Sequence, residues 1–148
     1  GVAHTSVKKN LTELARLGII KESFERKGVR KFPVYMADME NKLYKRYKVI
    51  HNMLAILESG LVEFIADSIM PKSIVLFGSY KNGEDVEDSD IDLFVGCVQE
   101  KLDLKKFERK LHRAIELHFN RDFSAYPSEL KNNIVNGVVL SGYLEVYK

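Results

Sequence analysis

Ile74, Val75, Leu76 and Phe77 form an unbroken apolar run that ends at Gly78. A run this short with no polar side is expected to be a strand buried on both faces. A polar stretch over 79–89 follows, and residues 90–96 then alternate. Ile91, Leu93 and Val95 fall on one side, and Asp90, Asp92 and Phe94 on the other. Two strands joined by a polar loop, the second with one acidic face, predict a small sheet whose polar edge carries the chemistry.

The acids themselves say what that chemistry is. Carboxylates at i and i+2 on a strand point the same way, with α-carbons roughly 6.5 Å apart, so Asp90 and Asp92 can converge on one ion. Held about 5 Å apart at an effective dielectric near 20, two such charges repel by about 3 kcal/mol. A cation offsets that repulsion, and oxygen-only ligands favour a hard one, magnesium or manganese. Just upstream, Gly78 lets a phosphate approach the backbone and Ser79 adds a hydroxyl donor.

Composition bounds the rest. The chain has 148 residues, 45% hydrophobic and 30% charged, which supplies a core and excludes a disordered or fibrous protein. The longest apolar runs fall far short of the roughly 20 residues that cross a bilayer, and no leader pattern opens the chain, so no membrane association is expected. The single cysteine, Cys97, excludes an intrachain disulfide and a thiolate zinc site, and it fits a reducing cytoplasmic compartment. It is read as an inert core residue. Net charge is only +2, but it is unevenly spread. Residues 1–35 hold Lys8, Lys9, Arg16, Lys21, Arg26, Lys27, Arg30 and Lys31 against Glu13, Glu22 and Glu25. Glu84, Asp85, Glu87, Asp88, Asp90 and Asp92 crowd into nine residues without a cation. Residues 84–88 of that run are expected to be a solvated loop.

Along the chain, Val7, Leu11, Leu14 and Leu17 predict a helix over 6–17, capped by Thr5 or Ser6 and stopped by Gly18. Strands over 19–25 and 29–36, joined at Arg26, Lys27 and Gly28, predict a basic hairpin in which Pro33 requires an edge. Leu43, Tyr47, Ile50, Leu54 and Leu57 stripe a helix over 40–58, and a helix over 61–69 ends before Pro71. Beyond the acidic strand, Leu104, Phe107, Leu111, Ile115 and His118 predict one amphipathic helix, followed by a third strand over 119–125. A last helix near 128–136 and an apolar tail over 138–147 complete the pass. His51, His112 and His118 fall on predicted helices without metal-ligand spacing and are read as packing or surface residues.

Gly78-Ser79, ten intervening residues and Asp90-Ile91-Asp92, with Tyr80, Gly83 and Ser89 at matching places, resemble the signature of minimal nucleotidyltransferases of the DNA polymerase beta superfamily. The resemblance covers about 60–146. It implies an α/β (α+β) fold, a small mixed sheet flanked by helices. It also implies transfer of a nucleoside monophosphate from an NTP, expected to be ATP, to an acceptor hydroxyl. Asp90 and Asp92 would bind magnesium or manganese, and Gly78 and Ser79 would grip the β and γ phosphates, with Lys81 as the basic contact. The family's third carboxylate, from a neighbouring strand and flanked by apolar residues, is assigned to Asp122. Small relatives of this type act as antitoxins that modify a HEPN-type toxin, which makes such a protein a candidate partner.

The basic head resembles part of a winged helix-turn-helix, so the expected organisation is 1–38 partial winged helix, 39–59 linking helix and 60–148 transferase domain. Gly1-Val2-Ala3-His4 would be the turn of that motif, which begins at residue 1 without its preceding helices, as expected of a piece of a longer polypeptide or of a degraded motif. In double-stranded DNA binding, His4, Thr5, Ser6, Lys8 and Lys9 would face the major groove and Arg26, Lys27, Arg30 and Lys31 would meet phosphates. The alternative to an enzyme is a DNA-binding regulator whose core senses nucleotide without turnover, and a third possibility is a scaffold for association.

Overall fold

The computed structural model describes residues 4–120, 123 and 126–146. They divide into two compact units, Gly1–Lys48 and Val49–Lys148.

The first unit opens with α1 (His4–Arg16), which begins two residues before the expected start at Ser6. Its strands β1 (Ile20–Lys27) and β2 (Arg30–Ala37) pair antiparallel from Ile20↔Ala37 to Lys27↔Arg30. β1 runs two residues nearer to the Gly28 turn than the spacing suggested, so Arg26 and Lys27 belong to the ladder, while β2 starts one residue later than expected. Pro33 is tolerated because a two-stranded sheet has only edges. Asn41 ends the unit's loop by accepting hydrogen bonds from the backbone N–H of Leu43 (2.8 Å) and Tyr44 (3.1 Å), a side-chain cap for the next helix.

That helix, α2 (Lys42–Ser59), runs into the second unit and is followed by α3 (Leu61–Ile69). The stripe read from the sequence is not the face α2 buries: Ile50, Leu54 and Leu57 are about half exposed, while Asn52, Ile56 and Ser59 are buried. Met70 takes a left-handed conformation and stops α3 before Pro71.

The sheet of this unit has the order β5 (Ile115–Phe119), β4 (Ile91–Val95), β3 (Ser73–Phe77), β6 (Val138–Gly142). Strand β3 is buried at every position and lies between β4 and β6, antiparallel to both. One face of the sheet supplies Ile74, Leu76, Ile91, Leu93 and Val95 to a core shared with Ile56, Leu61, Ile65 and Phe107. The other packs Val75, Phe77 and Phe94 against Phe123 and Ile134, the latter on α6 (Ser128–Val135). This is the small mixed sheet flanked by helices that the family resemblance implies.

One segment differs. The predicted helix through His118 is two elements, α5 (Lys105–Leu111) and the strand β5 (Ile115–Phe119), parallel to β4. The apolar spacing Phe107, Leu111, Ile115 runs across the break and so mimics a continuous helix. No glycine or proline marks the boundary; His112 itself adopts the left-handed turn (φ 52°) that ends α5. Glu108 then accepts the Ile115 N–H at 3.2 Å and Ala114 the Ile91 N–H at 2.9 Å, which docks β5 on β4. The third strand therefore lies at 115–119; of the expected 119–125, Phe119 belongs to it, Asn120 follows it, and 121, 122, 124 and 125 lie outside the described residues.

Candidate active site

Register decides which acids meet. Phe77, the last residue of β3, pairs with Asp92, and Asp92 pairs with Glu116 on β5. Two residues on, Phe94 pairs with His118, so Glu116 and His118 share the face of Asp92. His118 Nε2 lies 3.3 Å from Asp92 Oδ1 and 3.8 Å from Glu116 Oε1. Ligand atoms of Asp92, Glu116 and His118 all fall within 4.8 Å of one another. The Phe77 ring meets the imidazole edge-on at 5.1 Å between centroids and holds it over the strand end. Deeper on the same face, Phe94 is closed off by Phe123 and Tyr126, so the polar groups gather at the mouth of the sheet.

Gly78 opens α4 (Gly78–Asn82), a single helical turn. Its φ is 75°, and a β-carbon there would collide with Asp92 Oδ2. Only glycine permits both the turn and the approach of the carboxylate. Gly78, Ser79 and Lys81 then line one hollow of about 250 Å³ together with Asn82, Glu84, Asn133 and Asn136. The three residues assigned to phosphate are thus together, beside Asp92.

A buried polar brace fixes this turn. Asn52 donates at 2.8 Å both to the Tyr80 carbonyl and to Asp85 Oδ1, and Asp85 Oδ2 lies 3.7 Å from the Arg113 guanidinium. Asp85 is buried, so residues 84–88 are not simply the solvated loop expected of them. Burial, and then the Asp85 charge, push the Tyr80 hydroxyl above its ordinary range and keep it protonated.

The remaining assignments separate. Asp90 precedes β4, is exposed, and lines a hollow of about 790 Å³ with Ser89, Lys105, Arg109 and Arg113, outside the Asp92 cluster. Asp122 lies outside the described residues, as do Gly1, Val2, Ala3 and the side chain of His4. Thr5, Ser6, Lys8 and Lys9 are exposed on α1, and Arg26, Lys27, Arg30 and Lys31 at the hairpin tip. Glu116, His118, Asn133 and Asn136 were not picked out from the sequence. For Glu116 a signal existed, since Ile115 and Leu117 flank it as apolar residues flank the third acid in the resembling family. His118 was hidden by the false helix.

Residues 60–143, more than half of the chain, match the family described as Polymerase beta, Nucleotidyltransferase. No curated protein and no solved structure matches the chain. The matched span runs from Gly60, just ahead of α3, to Tyr143, just past β6, and contains Gly78, Ser79, Asp90, Asp92, Glu116 and His118.

Proposed function

Because the chain belongs to the polymerase beta nucleotidyltransferase family, an enzyme family that uses an NTP and a divalent metal, we propose that its reaction is magnesium- or manganese-dependent transfer of AMP from ATP to an acceptor hydroxyl. The observation that carries this reading is the convergence of Asp92 and Glu116 beside the Gly78-Ser79 turn. Two carboxylates within reach of one point suit a dication, since each alone would repel the other. Asp92 and Glu116 would hold it, while Asp90, read from the sequence as a second ligand, stands outside their cluster. When bound, the metal neutralises phosphate charge and lowers the pKa of the attacking hydroxyl.

The chain's own groups do the rest. Gly78 and Ser79 hold the terminal phosphates against the backbone of α4, and Lys81 balances their charge. The Asn52–Asp85–Arg113 brace keeps that turn in place through the reaction. The acceptor oxygen forms a bond to the α-phosphorus, the α–β bridging P–O bond breaks, and pyrophosphate leaves. Glu116, whose side chain is 59% exposed on the edge strand, accepts the hydroxyl proton. Asp122 is an alternative third acid. The resemblance to small antitoxin transferases supports a protein hydroxyl on a HEPN-type partner as acceptor, in a cytoplasmic setting. Among the described residues no single helix is long and apolar enough to cross a membrane.

α-labelled ATP incubated with the protein, magnesium and a lysate of its source tests this. Label covalently retained on a macromolecule, with pyrophosphate released, is the expected result. Retention of γ-label instead would overturn it.

One observation favours a second role for the head. Arg26 pairs with Lys31 and Lys27 with Arg30, two like-charged cross-strand pairs at an exposed tip. Such pairs destabilise a hairpin, by about 0.2–1 kcal/mol each, unless an anion lies between them. Together with Thr5, Lys8 and Lys9 on α1, they support reading 1–38 as a partial winged helix that binds duplex phosphates. Duplex binding that weakens steeply with salt is the expected outcome; none at low salt would remove the role.

A further inference from the structure

We infer that His118 is a ligand of the metal site and tunes it toward a first-row transition-metal dication over magnesium. The inference rests on the reading of Asp92 and Glu116 as metal ligands and adds to it a nitrogen donor that oxygen-only chemistry does not predict. Two ligands each about 2.1 Å from one ion stand no more than about 4.2 Å apart. The distances from His118 Nε2 to Asp92 Oδ1 (3.3 Å) and to Glu116 Oε1 (3.8 Å) meet that limit without moving a strand.

The imidazole is held for this position by the fold. Parallel pairing of β4 and β5 fixes its height above Phe94, and the edge-on Phe77 ring fixes its tilt. Its side chain is 23% exposed and that of Asp92 25%, so solvent reaches both. His118 Nε2 is in hydrogen-bond contact with Asp92 Oδ1 at 3.3 Å. Here Nε2 faces the two carboxylates. Magnesium prefers oxygen ligands and keeps several waters, whereas imidazole suits the transition ions. One nitrogen among two carboxylates therefore shifts selectivity without abolishing magnesium binding.

Manganese is the strictest probe, since it is the weakest binder of the divalent transition series. Titration calorimetry on the intact chain with Mn²⁺ and with Mg²⁺, each in the presence of a non-hydrolysable ATP analogue, reads the preference. Pulsed electron paramagnetic resonance of the Mn²⁺ form reads nitrogen coupling to the ion. The expected result is Mn²⁺ bound at least about tenfold more tightly than Mg²⁺, with ¹⁴N coupling present. His118→Gln replaces the nitrogen donor by oxygen or amide, and should weaken Mn²⁺ by about 10–100-fold, leave Mg²⁺ within about threefold and erase the coupling. His118→Phe keeps a ring against Phe77 and should lose the coupling in the same way, which separates ligation from packing. Mn²⁺ binding without nitrogen coupling, or an unchanged preference in both variants, overturns the role of His118 and leaves the carboxylate site standing. No binding of either ion by the parent chain overturns the carboxylate site and the inference together.

Discussion

The two units of this chain use their residues in opposite ways. In Val49–Lys148 the sheet is buried on both faces, and the polar groups near Asp92 are fixed by register, by the Gly78 turn and by a buried brace. In Gly1–Lys48 only Ile19 is buried among the described residues, and Phe24 and Met36 are well exposed on the hairpin. Apolar burial at about 25 cal/mol per Å² stabilises the first kind of structure, whereas a two-stranded ladder is marginal by itself. Precise chemistry needs side chains whose positions are over-determined, and only the larger unit has them. The head instead offers charge on accessible surfaces, where placement to within an ångström does not matter.

Substitutions can break or sharpen this contrast. The largest effect belongs to Asp92→Asn, which should reduce transfer by about 10²–10³-fold, the range for losing a group aimed at developing charge, with an unchanged thermal midpoint. Initial rates of pyrophosphate release would show it. Asp85→Ala is next: it strips partners from Asn52 and Arg113 inside the unit, and should lower unfolding free energy by about 3 kcal/mol in urea titrations. Asp85→Asn, which keeps an acceptor for Asn52, should lose less. Gly78→Ala should cost about 1–2 kcal/mol from its left-handed backbone and, by pushing on Asp92, lower transfer as well. Full activity in that variant would show that the turn and the carboxylate are not coupled. The smallest effect is expected in the head, where Lys27, Arg30 and Lys31 changed together to Ala should move stability by no more than about 0.5 kcal/mol per site and leave transfer unaltered. The same change should flatten the salt dependence of duplex binding by up to about three phosphate contacts, roughly 0.9 each on a log-log plot.

What the sequence revealed follows the same division between strong and weak local signals. The run Ile74–Phe77, Gly78 and the alternation through Val95 are short patterns whose period admits one structure, and the strands β3 and β4 follow from them directly. The stretch 104–119 is different, because a helix ending on His112 and a strand beginning at Ile115 together imitate one helical period. That imitation displaced the third strand and hid His118, and with it the alignment of Glu116 opposite Asp92. Asp85 was hidden for another reason: its burial depends on Asn52 and Arg113, which lie 33 and 28 residues away, and no local pattern reports such a partner. The α2 stripe shows the converse, with a regular apolar period that marks one face while Asn52 and Ile56 mark the face that is buried.

The central claim is that Asp92 and Glu116 meet beside the Gly78-Ser79 turn to hold a metal against a triphosphate. Crystals soaked with Mn²⁺ and a non-hydrolysable ATP analogue, measured at the manganese absorption edge, test it without relying on an acceptor. The account predicts an anomalous peak bounded by Asp92, Glu116 and His118, with the terminal phosphates over Gly78 and Ser79. A peak seated instead in the hollow of Asp90, Arg109 and Arg113, or a triphosphate bound away from the Gly78 turn, would contradict it.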